Sequence, residues 1–483
     1  MPRPPLLRYD KGTLILHPPP RGGAWVPFVT WDDRVERFRL PAPAYAPLLH
    51  ALRADGVDVT DQARAFREVS FHAAVERTPW PHQDEALRAW VRAGRRGVVA
   101  LPTAAGKTFL AQMAMQATPR STLVLVPTKP LLDQWYRTLK TVFPELDIGV
   151  LGGGDRDGLG ADEPPLDVLV STYDSAAIHA ETLGNRYALL VFDECHHLPT
   201  DFYRTIAEFS IAPYRLGLSA TPERSDGRHA DLDALIGPIV YERAPEDLAG
   251  VALADYEVIQ LRVRLLPAEQ EEYEACLETR NLFLRERGMT LGGENGYVRF
   301  MQASAQSSAG REAMLAHLRA RALAFGTERK LDVLASLLEE HWPARTIIFT
   351  HDNALAHTVS ERFLIPAITH ETTAKERHAI LERFAAGTYS SLVTSRVLNE
   401  GIDVPNASIG VVLSGTGSRR EHVQRLGRFL RRGDDPHKRA LLYEVVAEGT
   451  GEENTAKRRR RPEYHVSRVP DGPVQDEFEW DAE

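Results

Sequence analysis

The chain has 483 residues, 43% hydrophobic and 26% charged, with a formal net charge of −9; it is long enough for about three domains, and its composition excludes a low-complexity or wholly disordered protein. Cys195 and Cys276 are the only cysteines, which excludes a disulfide framework and a Cys-rich zinc site. No run reaches the roughly 18 apolar residues of a membrane span, and the Pro-rich start MPRPPLLRYD lacks a secretory apolar core, so a cytoplasmic protein without a membrane partner is expected, its net charge leaving room for a local basic groove.

Residues 1–70 read as a small α+β domain: GTLIL (12–16) and WVPFVTW (25–31) have β-rich composition and Tyr45 to Ala54 has helical spacing. From about Thr78, short apolar runs alternate with helical segments. VVAL (98–101), TLVLVP (122–127), DVLVST (167–172), ALLVFD (188–193) and RLGLSA (215–220) predict a parallel sheet covered by helices over 71–250. Residues 251–326 read as a linker and a helical hairpin insertion, Pro267 to Ala324, interrupted by the flexible GMTLGGENG (288–296). A second α/β lobe is expected over 327–450, with strands RTIIFT (345–350), SLVTS (391–395), IGVVLS (409–414) and ALLYEVV (440–446). Residues 451–483, carrying KRRRR (457–461) and the acidic DEFEWDAE (476–483), read as a charged flexible tail.

Four stretches carry chemistry. In LPTAAGKT (101–108) a strand feeds a loop ending in Gly106, Lys107 and Thr108 at the start of a helix. Backbone amides there favour phosphate, the lysine reaches β- and γ-phosphates, and the threonine hydroxyl ligates Mg²⁺; Leu101 stands where a strict phosphate loop has its first glycine, so an accidental turn is the alternative. In VFDECHH (191–197), Asp193 can hold Mg²⁺ through water and Glu194 can orient the attacking water, or the pair is a solvated strand end. Ser219 and Thr221 follow another apolar strand and can sense that turn, with His196 as a polar link, or form a plain polar strand end. Arg425, Arg428 and Arg431 in QRLGRFLR (424–431) share one helix face, either as solvated charge or as arginines for phosphoryl transfer. Gln83 can read adenine or serve as an ordinary helix-entry residue.

Together these residues resemble a superfamily 2 helicase: a glutamine motif at Gln83, then LPTAAGKT, VPTKPLLDQW, DECH, SAT, VTSRVLNEGIDVP and QRLGRFLR, in order over roughly 78–450. Within that superfamily the chain is most similar to the XPB type, on the N-terminal domain, on ERSDGRHADLDALIG directly after SAT, and on the thumb-like insertion. The resemblance implies two RecA-like lobes with an ATP site between them, and ATP-dependent 3′-to-5′ movement on DNA that opens duplex in repair. It assigns Lys107, Asp193, Glu194, Arg428 and Arg431 to catalysis. ATP would be bound by Gln83, Thr103, Ala104, Ala105, Gly106, Lys107, Thr108, Gly401, Asp403 and Gln424, with Mg²⁺ on Thr108 and Asp193. Thr128, Thr172, Thr394, Arg224 and Asp226 would contact DNA, single-stranded or as forked or damaged duplex. Ala104 stands where the family commonly has glycine, and Ser225 replaces the central acid of the family's Arg-Glu-Asp unwinding motif. A nuclease partner, a monomeric state and a nucleoid-associated location are further expectations. Two other readings stay open: a duplex-translocating motor subunit of a restriction or remodelling system, and a nucleotide-gated DNA clamp.

Overall fold

A computed structural model of the chain describes residues 4–18, 22–160, 164–222, 227–250, 254–292, 295–395, 407–415, 439–459 and 465–468. Contacts divide it into two units, 1–248 and 249–483.

The first unit begins with a small sheet in the order β3-β4-β2-β1-β5, built from β1 (Leu6–Asp10), β2 (Thr13–His17), β3 (Thr30–Asp32), β4 (Arg37–Pro41) and β5 (Thr60–Asp61), with helix α1 (Tyr45–Ala54). Lys11 and Gly12, both left-handed at φ 47° and 86°, close the β1–β2 hairpin, the twist such a two-residue turn needs. Of WVPFVTW only Thr30 and Trp31 are strand, as the start of β3; Val26–Phe28 is a short 3₁₀ turn, because Pro27 has no N–H to give a ladder. Leu7, Leu14, Leu16, Leu40, Leu48 and Leu52 form its core, which Ile211 of the following domain joins. The Tyr9 hydroxyl donates to Phe209 O and Glu181 O, each at 3.0 Å, and Asn185 Nδ2 donates to Ala63 O at 2.8 Å. The small domain is thus sewn onto its neighbour by apolar and polar contacts alike.

The rest of this unit is a sheet in the order β13-β6-β12-β11-β7-β10-β8-β9. Its strands are β6 (Arg96–Ala100), β7 (Thr122–Val126), β8 (Ile148–Gly152), β9 (Asp155–Arg156), β10 (Val168–Thr172), β11 (Leu189–Asp193), β12 (Tyr214–Ser219) and β13 (Ile239–Glu242). All neighbours are parallel except the β8–β9 hairpin. The fully buried runs of β7, β10 and β11 explain why these strands read as continuous apolar stretches, since helices cover both faces. The helices used below are α2 (Pro81–Arg92), α3 (Lys107–Ala117), α4 (Lys129–Val142) and α5 (Tyr173–Ile178).

The second unit holds a parallel sheet in the order β16-β17-β15-β18-β19-β14-β20, with β14 (Asp255–Val263), β15 (Thr346–Phe349), β16 (Ala367–Ile368), β17 (Ser391–Thr394), β18 (Ile409–Val412), β19 (Arg439–Ala447) and β20 (His465–Arg468). Two expectations are corrected here. The stretch read as a linker contains β14, which pairs with β19 along all nine residues; its partner lies far downstream, beyond the reach of a local reading. The tail begins as a helix, Gly451–Arg459, because Glu452 turns inward: its Oε2 accepts from Lys330 Nζ at 2.6 Å and from Ala447 N at 2.9 Å. The insertion is three helices, Pro267–Glu286, Gly296–Ser304 and Ser308–Gly326, and Met289 and Leu291 from its glycine-containing loop pack against Phe283 and Phe300.

Candidate nucleotide site

In the first unit Ala100, Asp193 and Ser219 end the adjacent parallel strands β6, β11 and β12, Ser219 in register with Ala100 and Asp193 with Leu218. The C-terminal edge of such a sheet is where ligands bind, because loops leave it and helix N-termini point to it. The loop from β6 ends at Gly106, left-handed at φ 81°, from which α3 starts with Lys107. That φ favours glycine, and a side chain there would put a Cβ 2.1 Å from Gln83 Nε2 and so displace the Gln83 amide. Ala104 also lies in the left-handed region, at φ 70°.

Helix α2 fastens this loop. Gln83 Nε2 donates to Ala105 O at 3.1 Å, with Gly106 O at 3.5 Å, and Gln83 Oε1 accepts from Trp80 N at 2.9 Å. His82 Nε2 donates to the same Ala105 O at 2.9 Å, a contact that assigns the proton to Nε2.

Lys107 Nζ stands 3.4 Å from Glu194 Oε1, both side chains largely buried. Glu194 itself is left-handed, φ 49° and ψ 52°, a conformation costly for a residue with a Cβ and one that clusters at functional sites. Its Oε2 has no hydrogen-bond donor among the described residues and lies 3.5 Å from His196 Nδ1. Asp193 is 7% exposed; its Oδ2 accepts from Trp135 Nε1 at 2.8 Å and its Oδ1 from Glu194 N at 3.2 Å. Burial, followed by the neighbouring Glu194 carboxylate, pushes its pKa up to about 6, against the pull of Lys107. His196 Nδ1 and Ser219 Oγ share a hydrogen bond of 3.1 Å, and Ser219 Oγ accepts from Thr221 N at 3.2 Å.

The fold therefore brings Gln83, Ala105, Gly106, Lys107, Asp193, Glu194, His196, Ser219 and Thr221 into one connected group, with Thr103 and Ala104 on the same loop and Thr108 in the first turn of α3. Thr128 is the residue before α4 and its side chain does not cap the helix, its hydroxyl being buried and without a partner among the described residues. Thr172 caps α5, accepting from Ser175 N at 3.3 Å. Thr394, on β17, is fully buried and donates to Ser395 O at 3.0 Å. Arg224, Asp226, Gly401, Asp403, Gln424, Arg428 and Arg431, and with them Ser225 and Arg425, lie outside the described residues. His82, Trp135 and Tyr173 escaped the sequence reading, because an aromatic residue in an apolar pattern looks the same whether it only packs or also donates a hydrogen bond.

Residues 7–63 match the family described as Xeroderma pigmentosum group B helicase damage recognition domain, 76–224 the family Type III restriction enzyme, res subunit, and 329–433 the family Helicase conserved C-terminal domain. The chain is 35% identical over 464 residues to the DNA 3′-5′ translocase XPB2 of Sulfurisphaera tokodaii, covering 94% of this chain and 99% of that protein. It is 30% identical to the DNA 3′-5′ helicases XPB of Kineococcus radiotolerans and Mycobacterium tuberculosis, over 79% and 76% of this chain but only 62% and 61% of theirs. In fold it is similar to S. cerevisiae Dbp5 bound to RNA and ADP BeF3, with a TM-score of 0.53 at 14% identity over 81% of this chain and 90% of that one. The Pyrococcus furiosus Hef helicase domain aligns with a TM-score of 0.52 at 20% identity over 79% and 98%. These likenesses agree with parallel-sheet lobes of RecA-like type.

Proposed function

The chain belongs to the XPB family of helicases, and from that membership we propose that it hydrolyses ATP to move 3′-to-5′ on DNA and to open duplex during repair. The observation that carries this reading is the Lys107–Glu194 contact of 3.4 Å at the mouth of a glycine-closed loop. A phosphate-binding cation and a carboxylate able to orient water meet there, beside the buried acid Asp193.

The residues fit a nucleotide with its metal. The amides at the start of α3 and the Lys107 ammonium bind the phosphates; Thr108 and Asp193 supply hard oxygen donors that would hold Mg²⁺, directly and through water. The metal would neutralise charge on the β- and γ-oxygens. Glu194 keeps Oε2 free of donors among the described residues and orients the attacking water, and His196 relays the state of that turn to Ser219 and Thr221. Gln83, which holds the loop carbonyl in this structure, is proposed to read adenine, with Thr103, Gly401, Asp403 and Gln424 as further nucleotide contacts. Arg428 and Arg431 are proposed to stabilise charge in phosphoryl transfer. Thr128, Thr172, Arg224 and Asp226 are proposed DNA contacts; Thr394, expected among them, is fully buried with its hydroxyl given to Ser395 O and is left out. Among the described residues no helix is long and apolar enough to cross a membrane. The protein would act in the cytoplasm on the nucleoid as a monomer, with any strand cutting left to a nuclease partner.

Two assays run together test this. ATPase rates are measured with single-stranded DNA, duplex DNA, RNA and no nucleic acid, and strand displacement with 3′-tailed and 5′-tailed duplexes. Stimulation by DNA with displacement of the 3′-tailed substrate is expected. Turnover indifferent to DNA would favour the nucleotide-gated clamp, and movement on duplex without displacement would favour the restriction-type motor.

A further inference from the structure

Two aromatic side chains from different helices converge on Asp193. Trp135, 2% exposed, lies two turns into α4 and donates Nε1–H to the carboxylate at Oδ2, 2.8 Å away. Tyr173, 1% exposed, is the first residue of α5 and donates its hydroxyl to the backbone carbonyl of the same residue at 3.0 Å. Buried indole N–H and phenol O–H groups need partners, and many carbonyls lie within reach of a helix covering a sheet. That both find the strand-end acid means that neither α4 nor α5 can tilt or slide without moving a donor on Asp193.

The other ends of these helices give the convergence its meaning. Helix α4 starts directly after Thr128, and Trp135 stands about 9 Å along the axis from Lys129 at 1.5 Å per residue. Helix α5 starts directly after Thr172, so Tyr173 is covalently next to it. Thr128 and Thr172 are the threonines proposed to hold the DNA backbone, and the buried Thr128 hydroxyl has no protein partner among the described residues. Each helix therefore joins a proposed phosphate grip at its start to a hydrogen bond on the acid.

We propose that Trp135 and Tyr173 are positioning residues that couple DNA held at the starts of α4 and α5 to the placement of Asp193, and so set how far DNA accelerates ATP turnover. The coupling rests on the ATPase reading above. Trp135 acts on the carboxylate and sets its orientation; Tyr173 acts on the backbone and sets where β11 ends. A role in packing alone would be filled equally by phenylalanine at both positions.

The test uses the full chain with Trp135→Phe and Tyr173→Phe, which keep the rings and remove only the donors, beside Lys107→Ala. Four quantities are measured: affinity for a fluorescent ATP analogue without Mg²⁺, the Mg²⁺ concentration for half-maximal ATPase, the ratio of DNA-stimulated to basal turnover, and affinity for single-stranded DNA. In Trp135→Phe the Mg²⁺ requirement is expected to rise, and the stimulation ratio to fall, each about tenfold, the scale of one lost hydrogen bond to a charged group. Both affinities should stay within about twofold. Tyr173→Phe should lower the stimulation ratio with a smaller change in Mg²⁺ requirement, and it carries the test alone if Trp135→Phe does not fold. Wild-type Mg²⁺ dependence and stimulation in the folded variants, with Lys107→Ala inactive, would overturn the coupling and leave the ATPase reading standing. A wild-type chain whose turnover ignores DNA would overturn both.

Discussion

Lys107 Nζ and Glu194 Oε1 lie 3.4 Å apart although 87 residues separate them in the chain. One begins α3 and the other follows β11, so the contact exists only because β6 and β11 flank β12 in the same parallel sheet. Lys107→Ala should weaken nucleotide binding and lower turnover at least about 10²-fold, on the scale of removing one preorganised donor. Glu194→Gln should lower turnover comparably while leaving nucleotide affinity near wild type, since shape survives and only the carboxylate is lost. Steady-state phosphate release beside equilibrium titration of a fluorescent nucleotide separates the two, and near-normal turnover in either variant would remove this pair from catalysis.

Ala104 occupies the left-handed region at φ 70°. A residue with a Cβ is disfavoured there by about 1–2 kcal/mol, whereas glycine adds unfolded-chain entropy of about 0.5–1 kcal/mol. Ala104→Gly is therefore expected to be neutral or to stabilise by about 0.5 kcal/mol, and Ala104→Val to destabilise by more than 1 kcal/mol. Urea denaturation followed by circular dichroism checks the order; valine as stable as glycine would mean that the loop does not hold this conformation in solution.

Lys330 and Glu452, each 1% exposed at the side chain, form a buried pair at 2.6 Å, and Lys330 Nζ also donates to Leu413 O at 2.6 Å. Removing one partner leaves a charge in the core, so Lys330→Met should cost about 3–5 kcal/mol. Adding Glu452→Gln removes that charge and keeps an acceptor for Ala447 N, so the double variant should recover much of the loss. Denaturation midpoints of both variants decide it: a double variant less stable than Lys330→Met would show that the charge of Glu452 is not the cause.

His317 packs with its ring centroid 5.8 Å from both Tyr297 and Phe300. Burial first, and then the charges of Arg280 and Arg321, hold its pKa below the usual histidine value of 6.5. The unfolded chain therefore takes up this proton at higher pH than the folded one, and stability present above about pH 6.5 is lost as pH falls through and below it. His317→Leu should remove that part of the acid sensitivity. Denaturation at pH 7.5 and 5.5 measures it, and an unchanged difference between the two pH values in the variant would contradict the assignment.

What the sequence determined by itself is local. Continuous apolar runs such as TLVLV and LLVFD declare buried parallel strands, because helices cover both faces of their sheet. A glycine before Lys107 and Thr108 reads as the turn from a strand into a helix, because the left-handed start of α3 at φ 81° disfavours a Cβ. The charges beginning at Gly451 read as a tail, because nothing local to Glu452 reveals the lysine 122 residues upstream that it pairs with. β14 read as linker for the same reason: a parallel strand finds its partner only across a long crossover. Only tertiary structure decided that Trp135 and Tyr173 both donate to Asp193. Burial leaves their N–H and O–H groups no water to bond, and the partner each finds depends on which strand the folded sheet places beneath its helix.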